Sequence, residues 1–309
     1  MTLFLLFPGQ GSQKPGMAKD LVEAFPEARL AFESADTALG TKLSAVCFDG
    51  PADELTLTHN AQPALLTHGA AVWAVVRASI ARRVVGAAGH SLGEFSAYHA
   101  AGALPLEDAV RLVRRRGELM YETGVHVPGA MAAILGALQR PIEAICHEAS
   151  ARGVCVPANY NTTEQIVISG EVVAVEFAIE LAKLAGAKRA LRLPVSGAFH
   201  SPLMQPAAVG LDEALRAADW GDPVVPVWSN VTGESVGNAA TARDLLLRQL
   251  TSPVRWVDVV RNVAARFPGT TFVEMGPGAV LSGLVKRLAP DCSSVPCGTV
   301  AEVEALLKR

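Results

Sequence analysis

Ser91 sits at the centre of Gly89-His90-Ser91-Leu92-Gly93, a Gly-x-Ser-x-Gly pentapeptide. Between a strand and a helix, this pattern turns the chain sharply enough to project a serine hydroxyl from the end of a sheet. The flanking glycines remove side chains that would collide with neighbouring elements. A serine held there can attack an acyl carbon, and backbone N–H groups at the helix N-terminus can stabilise the oxyanion. In a chain with 27 glycines the pentapeptide also arises by chance, so its flanks must decide.

Such a serine needs a base. Of seven histidines, His59, His68, His99 and His147 fall in expected helices or polar loops. His90 belongs to the turn, and His126 lies near the hinge of a smaller unit. His200 lies in the loop Pro194-Val195-Ser196-Gly197-Ala198-Phe199-His200-Ser201-Pro202, downstream of the serine as in hydrolase-type triads. No Asp or Glu between Ser91 and His200 stands out as a triad acid, which leaves a group such as a backbone carbonyl to orient the imidazole.

Two further stretches carry chemistry. Pro8-Gly9-Gln10-Gly11-Ser12-Gln13 follows an apolar strand but lacks the Gly-Lys-Ser/Thr of a P-loop and any further glycine at dinucleotide spacing. It is either a plain strand-to-helix turn or a loop aiming a backbone N–H at a reacting oxygen. From Leu106 to about Tyr121 the spacing predicts an amphipathic helix with Ala109, Leu112, Val113, Leu119 and Met120 on one face. Arg116 lies on that apolar face, while Arg114 and Arg115 point elsewhere, to solvent. A buried guanidinium must be partnered, by an internal salt bridge or by a carboxylate on a substrate.

The elements that position these residues alternate. Val84–Ala88 reads as a strand buried on both faces, Glu94–Ala101 as a helix stopped at Gly102, and Leu3–Phe7 as a second buried strand. Helices are expected at about 18–38 and 62–82, strands at 224–229 and 271–274, and helices at 240–250 and from Ala279. Residues 129–197 differ, with strands at 129–137, 154–161, 165–170 and 188–195 and helices at 141–150 and 172–185. That is the strand-helix-strand-strand-helix-strand order of a ferredoxin-like unit. The expected fold class is α/β: a hydrolase-like, mostly parallel sheet flanked by helices over 1–128 and 198–309, with an inserted ferredoxin-like small subdomain over 129–197. A cleft between the two is a natural ligand site.

The 309 residues, 50% hydrophobic and 18% charged with net charge −3, can bury a large core and present no basic surface for nucleic acid. Cysteines at 47, 146, 155, 292 and 297 have no metal-ligand spacing and read as reduced thiols of a cytoplasmic protein. Leu3–Phe7 is too short for a signal peptide, and no apolar stretch is expected to span a membrane. No fixed-period repeat is present.

Taken together, the motifs resemble the malonyl-CoA:acyl carrier protein transacylases of fatty acid synthesis. The matching pieces are Phe7-Pro8-Gly9-Gln10-Gly11-Ser12-Gln13, Gln62-Pro63-Ala64, Gly89–Glu94, Arg116-Gly117, Gly129-Ala130-Met131, Asn159-Tyr160-Asn161, Gly197–Ser201, Arg248-Gln249-Leu250 and Glu274–Gly278, in the family's order across nearly the whole chain. The resemblance implies a Ser91–His200 dyad, with the imidazole held by the main-chain carbonyl of Gln249. It implies an oxyanion hole from the N–H groups of Gln10 and Leu92, and Arg116 as partner of the malonate carboxylate. Asn159 and Phe199 are implied as substrate-binding; in related polyketide acyltransferases a Ser before this His accompanies methylmalonyl, so Phe199 resembles the malonyl type. It further implies malonyl-CoA and the phosphopantetheine of holo acyl carrier protein as substrates, no metal or tightly bound cofactor, and a monomer. Other readings remain open: an acyltransferase serving a polyketide or malonate decarboxylase system, a serine hydrolase of acyl thioesters, and a non-catalytic subunit that docks the carrier.

Overall fold

The computed structural model describes residues 2–195 and 197–309; Ser196, in the loop leading to His200, lies outside the described residues. β1 (Leu3–Phe7) is buried at every position. Because side chains alternate across a strand, Leu3, Leu5 and Phe7 enter one core while Phe4 and Leu6 enter the other. Phe4 makes edge contacts with Trp228 at 5.2 Å and Phe272 at 5.5 Å. After β1 come α1 (Lys19–Ala24), α2 (Pro26–Leu39), α3 (Leu43–Asp49), α4 (Ala52–Thr56) and α5 (Thr58–Ile80). The single helix expected at 18–38 is two, because Pro26 disfavours helical geometry at Phe25, which is extended at φ −125°. The short α3 and α4 were not expected.

β2 (Val84–Gly89), α6 (Gly93–Ala100) and α7 (Leu106–His126) follow. α5 begins at Thr58, earlier than expected, with Pro63 inside it, and continues through a short 3-10 turn to Arg83. Contrary to the sequence reading, Thr58–Arg83 is long and apolar enough to cross a membrane by length and composition. Asn60, Gln62 and His68 interrupt the apolar run, yet all three are buried, and α5 packs in the core against α2, α6 and α7. α7 extends past the expected Tyr121 to His126, burying Thr123 and Gly124.

A second body starts with β3 (Gly129–Leu135), α8 (Ile142–Ala149), β4 (Cys155–Thr162), β5 (Gln165–Glu171), α9 (Val172–Leu184) and β6 (Arg189–Arg192). Its strands form an antiparallel sheet ordered β4-β5-β3-β6. Ala130, Ala132 and Ile134 face a core with α8 and α9, while Met131 faces the larger body. The strand expected at 188–195 is confined to Arg189–Arg192.

The chain then forms α10 (Gln205–Ala217), β7 (Val227–Trp228), β8 (Ser235–Val236), α11 (Ala239–Gln249), α12 (Trp256–Arg266), β9 (Thr271–Met275), α13 (Val280–Leu288), β10 (Ser293–Cys297) and α14 (Val300–Leu307). The larger sheet runs β10-β9-β1-β2-β7-β8, parallel except for β8. The strand expected at 224–229 shrinks to two residues; Pro226 has no N–H for the ladder but accepts from Ala87 N–H at 3.1 Å. A strand-like pair, Asn159 with Val254, joins the bodies: Tyr160 N–H donates to Val254 O at 2.9 Å and Val254 N–H to Ala158 O at 2.8 Å.

Candidate active site

Ser91 projects between the C-terminus of β2 and the start of α6 with φ +53°. A Cβ on Gly89 would lie 1.8 Å from Gly93 C, and one on Gly93 would lie 2.2 Å from Phe7 O, so both positions require glycine. Among the described residues only Ala18, Ser91 and His200 are non-glycines with positive φ. Two of the three are therefore the expected serine and histidine, each held at a cost of about 1–3 kcal/mol by its surroundings.

The pair is formed. Ser91 Oγ lies 2.8 Å from His200 Nε2, and His200 Nδ1 lies 2.9 Å from Gln249 O. A carbonyl can only accept, so Nδ1 carries the hydrogen and Nε2 is free to accept from the serine hydroxyl. Burial and then the nearby Arg116 guanidinium push the imidazole down to about 3, so it is neutral at pH 7. The Ser201 hydroxyl donates to Ala198 O at 2.7 Å and tightens the turn that presents His200.

Arg116 comes in from α7. Gly117 lets α7 approach α5 closely, since a Cβ there would lie 2.6 Å from His59 Cα. The guanidinium is 1% exposed. Nη1 donates to Gln62 Oε1 at 2.7 Å, and Nη2 donates to Gln249 Oε1 at 2.9 Å and Ser91 Oγ at 3.1 Å. Each of these acceptors is uncharged, and Nε has no partner among the described residues. Burial lowers the group to about 10, leaving it a cation at neutral pH. Of the two roles open from sequence, no internal salt bridge to Arg116 is present among the described residues, and the fork remains available to a carboxylate. Arg115 is exposed, whereas Arg114 is half-buried and donates to Asn60 Oδ1 at 2.6 Å, not fully solvated as expected.

Gln10, Ser91, Leu92, Arg116, Asn159, Phe199 and His200 line one cavity of about 310 Å³. Gly9 allows the Gly-rich loop to lie against the serine turn, where a Cβ would be 2.8 Å from His90 O. Thr58 Oγ1 anchors the Gln10 side chain at 2.8 Å. The N–H groups of Gln10 and Leu92 donate to no other described residue, whereas Ser91 N–H is already taken. Gln249 does not line the cavity and reaches it through His200 and Arg116. His90 Nε2 is tied to Asn161 Oδ1 at 2.8 Å, a structural contact as expected. A larger groove of about 890 Å³, between α2, α5 and the segment joining α6 to α7, lies apart from this pair.

The acyl transferase domain profile covers residues 4–302. The chain belongs to the acyl transferase domain family. It is 51% identical over 284 residues to the malonyl CoA-acyl carrier protein transacylase of Bacillus subtilis (strain 168), covering 92% of this chain and 89% of that protein. Its fold superposes on the acyl-carrier-protein-S-malonyltransferase of Bartonella henselae with TM-score 0.95, at 45% identity and over 100% of this chain and 99% of that one. It superposes equally, TM-score 0.95 and 40% identity over 100% and 99% of the chains, on a malonyl-transacylase in complex with its type II PKS acyl-carrier protein.

This acyl transferase site also contains residues that motif reading did not single out. Glu94 is fully buried; its Oε2 accepts from Asn230 N–H at 3.0 Å and Gln249 Nε2 at 2.6 Å. Burial pushes its carboxyl up to about 7. In the sequence it is the last residue of the Gly89–Glu94 piece and otherwise looks like an ordinary acid in the first turn of a helix. Gln62 entered only as part of a motif, yet it holds one arm of Arg116. Asn230, in the turn-like Ser229-Asn230-Val231-Thr232-Gly233, meets the serine turn directly. Among the described residues no cluster of His, Cys, Asp and Glu is arranged to hold a metal.

Proposed function

We propose that the chain transfers a malonyl group from malonyl-CoA to the phosphopantetheine thiol of acyl carrier protein through a malonyl-Ser91 intermediate, in fatty acid biosynthesis. The observation that carries this reading is the buried Arg116 guanidinium hydrogen-bonded to the oxygen of a serine that also meets a neutral histidine.

The malonyl carboxylate takes the guanidinium fork. Ser91 Oγ attacks the thioester carbon while His200 Nε2 removes its proton. The N–H groups of Gln10 and Leu92 receive the oxyanion, each worth on the order of 3 kcal/mol. The C–S bond breaks, His200 returns the proton to the leaving thiolate, and CoA departs. The carrier thiol then gives its proton to His200, attacks the acyl-serine carbon and displaces Ser91, which takes the proton back. The chain's own groups supply every step, so the reaction calls for no resident cofactor. An acetyl group leaves the buried guanidinium without its carboxylate and is disfavoured. Asn159 and Phe199 shape the acyl end of the cavity.

In this reading residues 1–128 and 198–309 carry the chemistry and 129–197 is a small subdomain closing the cleft. The relatives' names support the carrier as partner, the buried thiols fit a cytoplasmic setting, and a monomer suffices because one chain supplies every group. The polyketide neighbour makes a polyketide carrier the specific alternative acceptor.

The test is intact mass after mixing with malonyl-CoA, alongside Ser91→Ala, Arg116→Ala and acetyl-CoA. A malonyl-sized gain that requires Ser91 and Arg116, and that holo fatty-acid carrier removes more rapidly than a polyketide carrier does, is the expected result. Steady release of free malonate without carrier would make water the acceptor and the chain a hydrolase.

A further inference from the structure

We propose that Asn230 is a positioning residue for acyl transfer, its carboxamide clamping the backbone that leads from β2 into the left-handed residue Ser91. Asn230 Oδ1 accepts from Ser91 N–H at 2.7 Å, and Asn230 Nδ2 donates to Gly89 O at 2.8 Å. One planar amide thus spans the two backbone groups that flank His90, on the approach to Ser91. The side chain must accept on one arm and donate on the other, which among short neutral side chains only Asn does at this reach. The residue is fully buried and is not on the wall of the substrate cavity.

Its placement is fixed by the backbone around it. Asn230 N–H donates to Glu94 Oε2 at 3.0 Å, Arg255 N–H donates to Asn230 O at 2.9 Å, and Gly233 N–H closes the turn on Ser229 O at 2.8 Å. The same Glu94 oxygen accepts from Gln249 Nε2 at 2.6 Å; that nitrogen also approaches Ser91 O at 3.1 Å, and Gln249 O holds the His200 ring. Asn230 therefore sets the serine, and Gln249 the histidine, against one shared carboxylate. By occupying Ser91 N–H, Asn230 leaves the next N–H, that of Leu92, for the oxyanion. Its effect falls on the geometry of attack and not on substrate affinity.

The inference rests on Ser91 carrying the acyl group, so the experiment separates the two. Single-turnover acylation by malonyl-CoA is followed by intact mass for the parent, Asn230→Ala, Asn230→Asp and Ser91→Ala. Sulfonylation by phenylmethylsulfonyl fluoride, which needs the turn and the base but not Arg116, is followed in parallel. Malonyl-CoA affinity is measured on Ser91→Ala with and without Asn230→Ala. Asn230→Ala should slow both acylation and sulfonylation by about 100-fold, as an ångström-scale misplacement does, with affinity changed less than about threefold. Asn230→Asp, nearly isosteric, keeps an acceptor for Ser91 N–H but sets a carboxylate oxygen in place of the donor to Gly89 O; it should slow both at least tenfold at pH 8 and decides the matter if the alanine variant does not fold. Rate constants within threefold of the parent overturn the proposal, as does a reduced amplitude at the parent's rate constant or an affinity loss that accounts for the whole effect. A parent that gains no mass at Ser91 overturns the acyl-transfer reading instead.

Discussion

At the scale of single residues the site works by burial. The interior keeps His200 neutral with its Nδ1–H committed to Gln249 O, the state that the proposed base requires. Ring 15N spectra should show Nε2 unprotonated and Nδ1 protonated from pH 8 down to about 5; protonation with a midpoint near 6.5 would contradict that environment. Phe199, 6% exposed, lines the cavity beside His200, and in the proposed reading it fills the room that an α-branched acyl group needs. Phe199→Ser should raise the ratio of methylmalonyl to malonyl acylation roughly tenfold, the scale of one methyl group in a pocket; an unchanged ratio removes this role. The placement of Ser91, His200 and Arg116 was legible because each carries a local signal: a glycine-flanked turn, a histidine among turn residues, a cation on an apolar face. Glu94 and Asn230 carry none, since their burial and partners arise only when the segments around 94, 230 and 249 come together.

At the scale of elements the decisive contact is α7 against α5. Gly117 permits it, and Arg116 rides on the same turn of helix. Gly117→Ala would push His59 Cα away by a fraction of an ångström or more and carry the guanidinium with α7. Overpacking of this kind costs about 1–3 kcal/mol. The expected outcome is a fall in melting temperature of several degrees and a larger fall in malonyl over acetyl preference; a variant that loses stability while keeping its preference would uncouple helix contact from selectivity. Long periodic elements such as α7 and the six elements from β3 to β6 could be read from sequence. The misses share physical causes. β7 is short because Pro226 cannot donate to the ladder, and α5 hid its apolar character behind Asn60, Gln62 and His68, polar residues that the fold buries. α14 opens on a reciprocal cap between Thr299 and Glu302, a signal that lies in plain sequence.

At the scale of the molecule, buried titratable groups link stability to pH. His59, His68, His90, His99 and His200 are all pushed down by burial, His68 to about 4 and His200 to about 3. Below about pH 6.5 the unfolded chain takes up protons that these folded-state rings refuse, so stability falls as pH falls. Glu94 and Glu274 act in the opposite sense, because burial raises them and the folded state keeps protons the unfolded chain has released. The histidines are more numerous, so the urea midpoint should be lower at pH 5 than at pH 7. His68→Asn, far from the site and bonded only to Gly298 O through its ring, should shrink that difference; a midpoint that rises toward pH 5 would reverse the assignment. The central place of β1 matters in another setting, during synthesis. Leu3–Phe7 leaves the ribosome before both of its sheet neighbours, yet it seats the serine turn through Phe7 O and lies between β2 and β9. At about 5–20 residues per second, the growing chain carries this apolar strand with one flank unfilled, from the emergence of β2 to that of Thr271–Met275, for on the order of ten seconds or longer. The sheet from Gly129 to Arg192 needs no later strand and can close as it emerges. Strand order along the chain therefore lets the smaller sheet close before the larger one, and the apolar strand left waiting is the one that seats the serine turn.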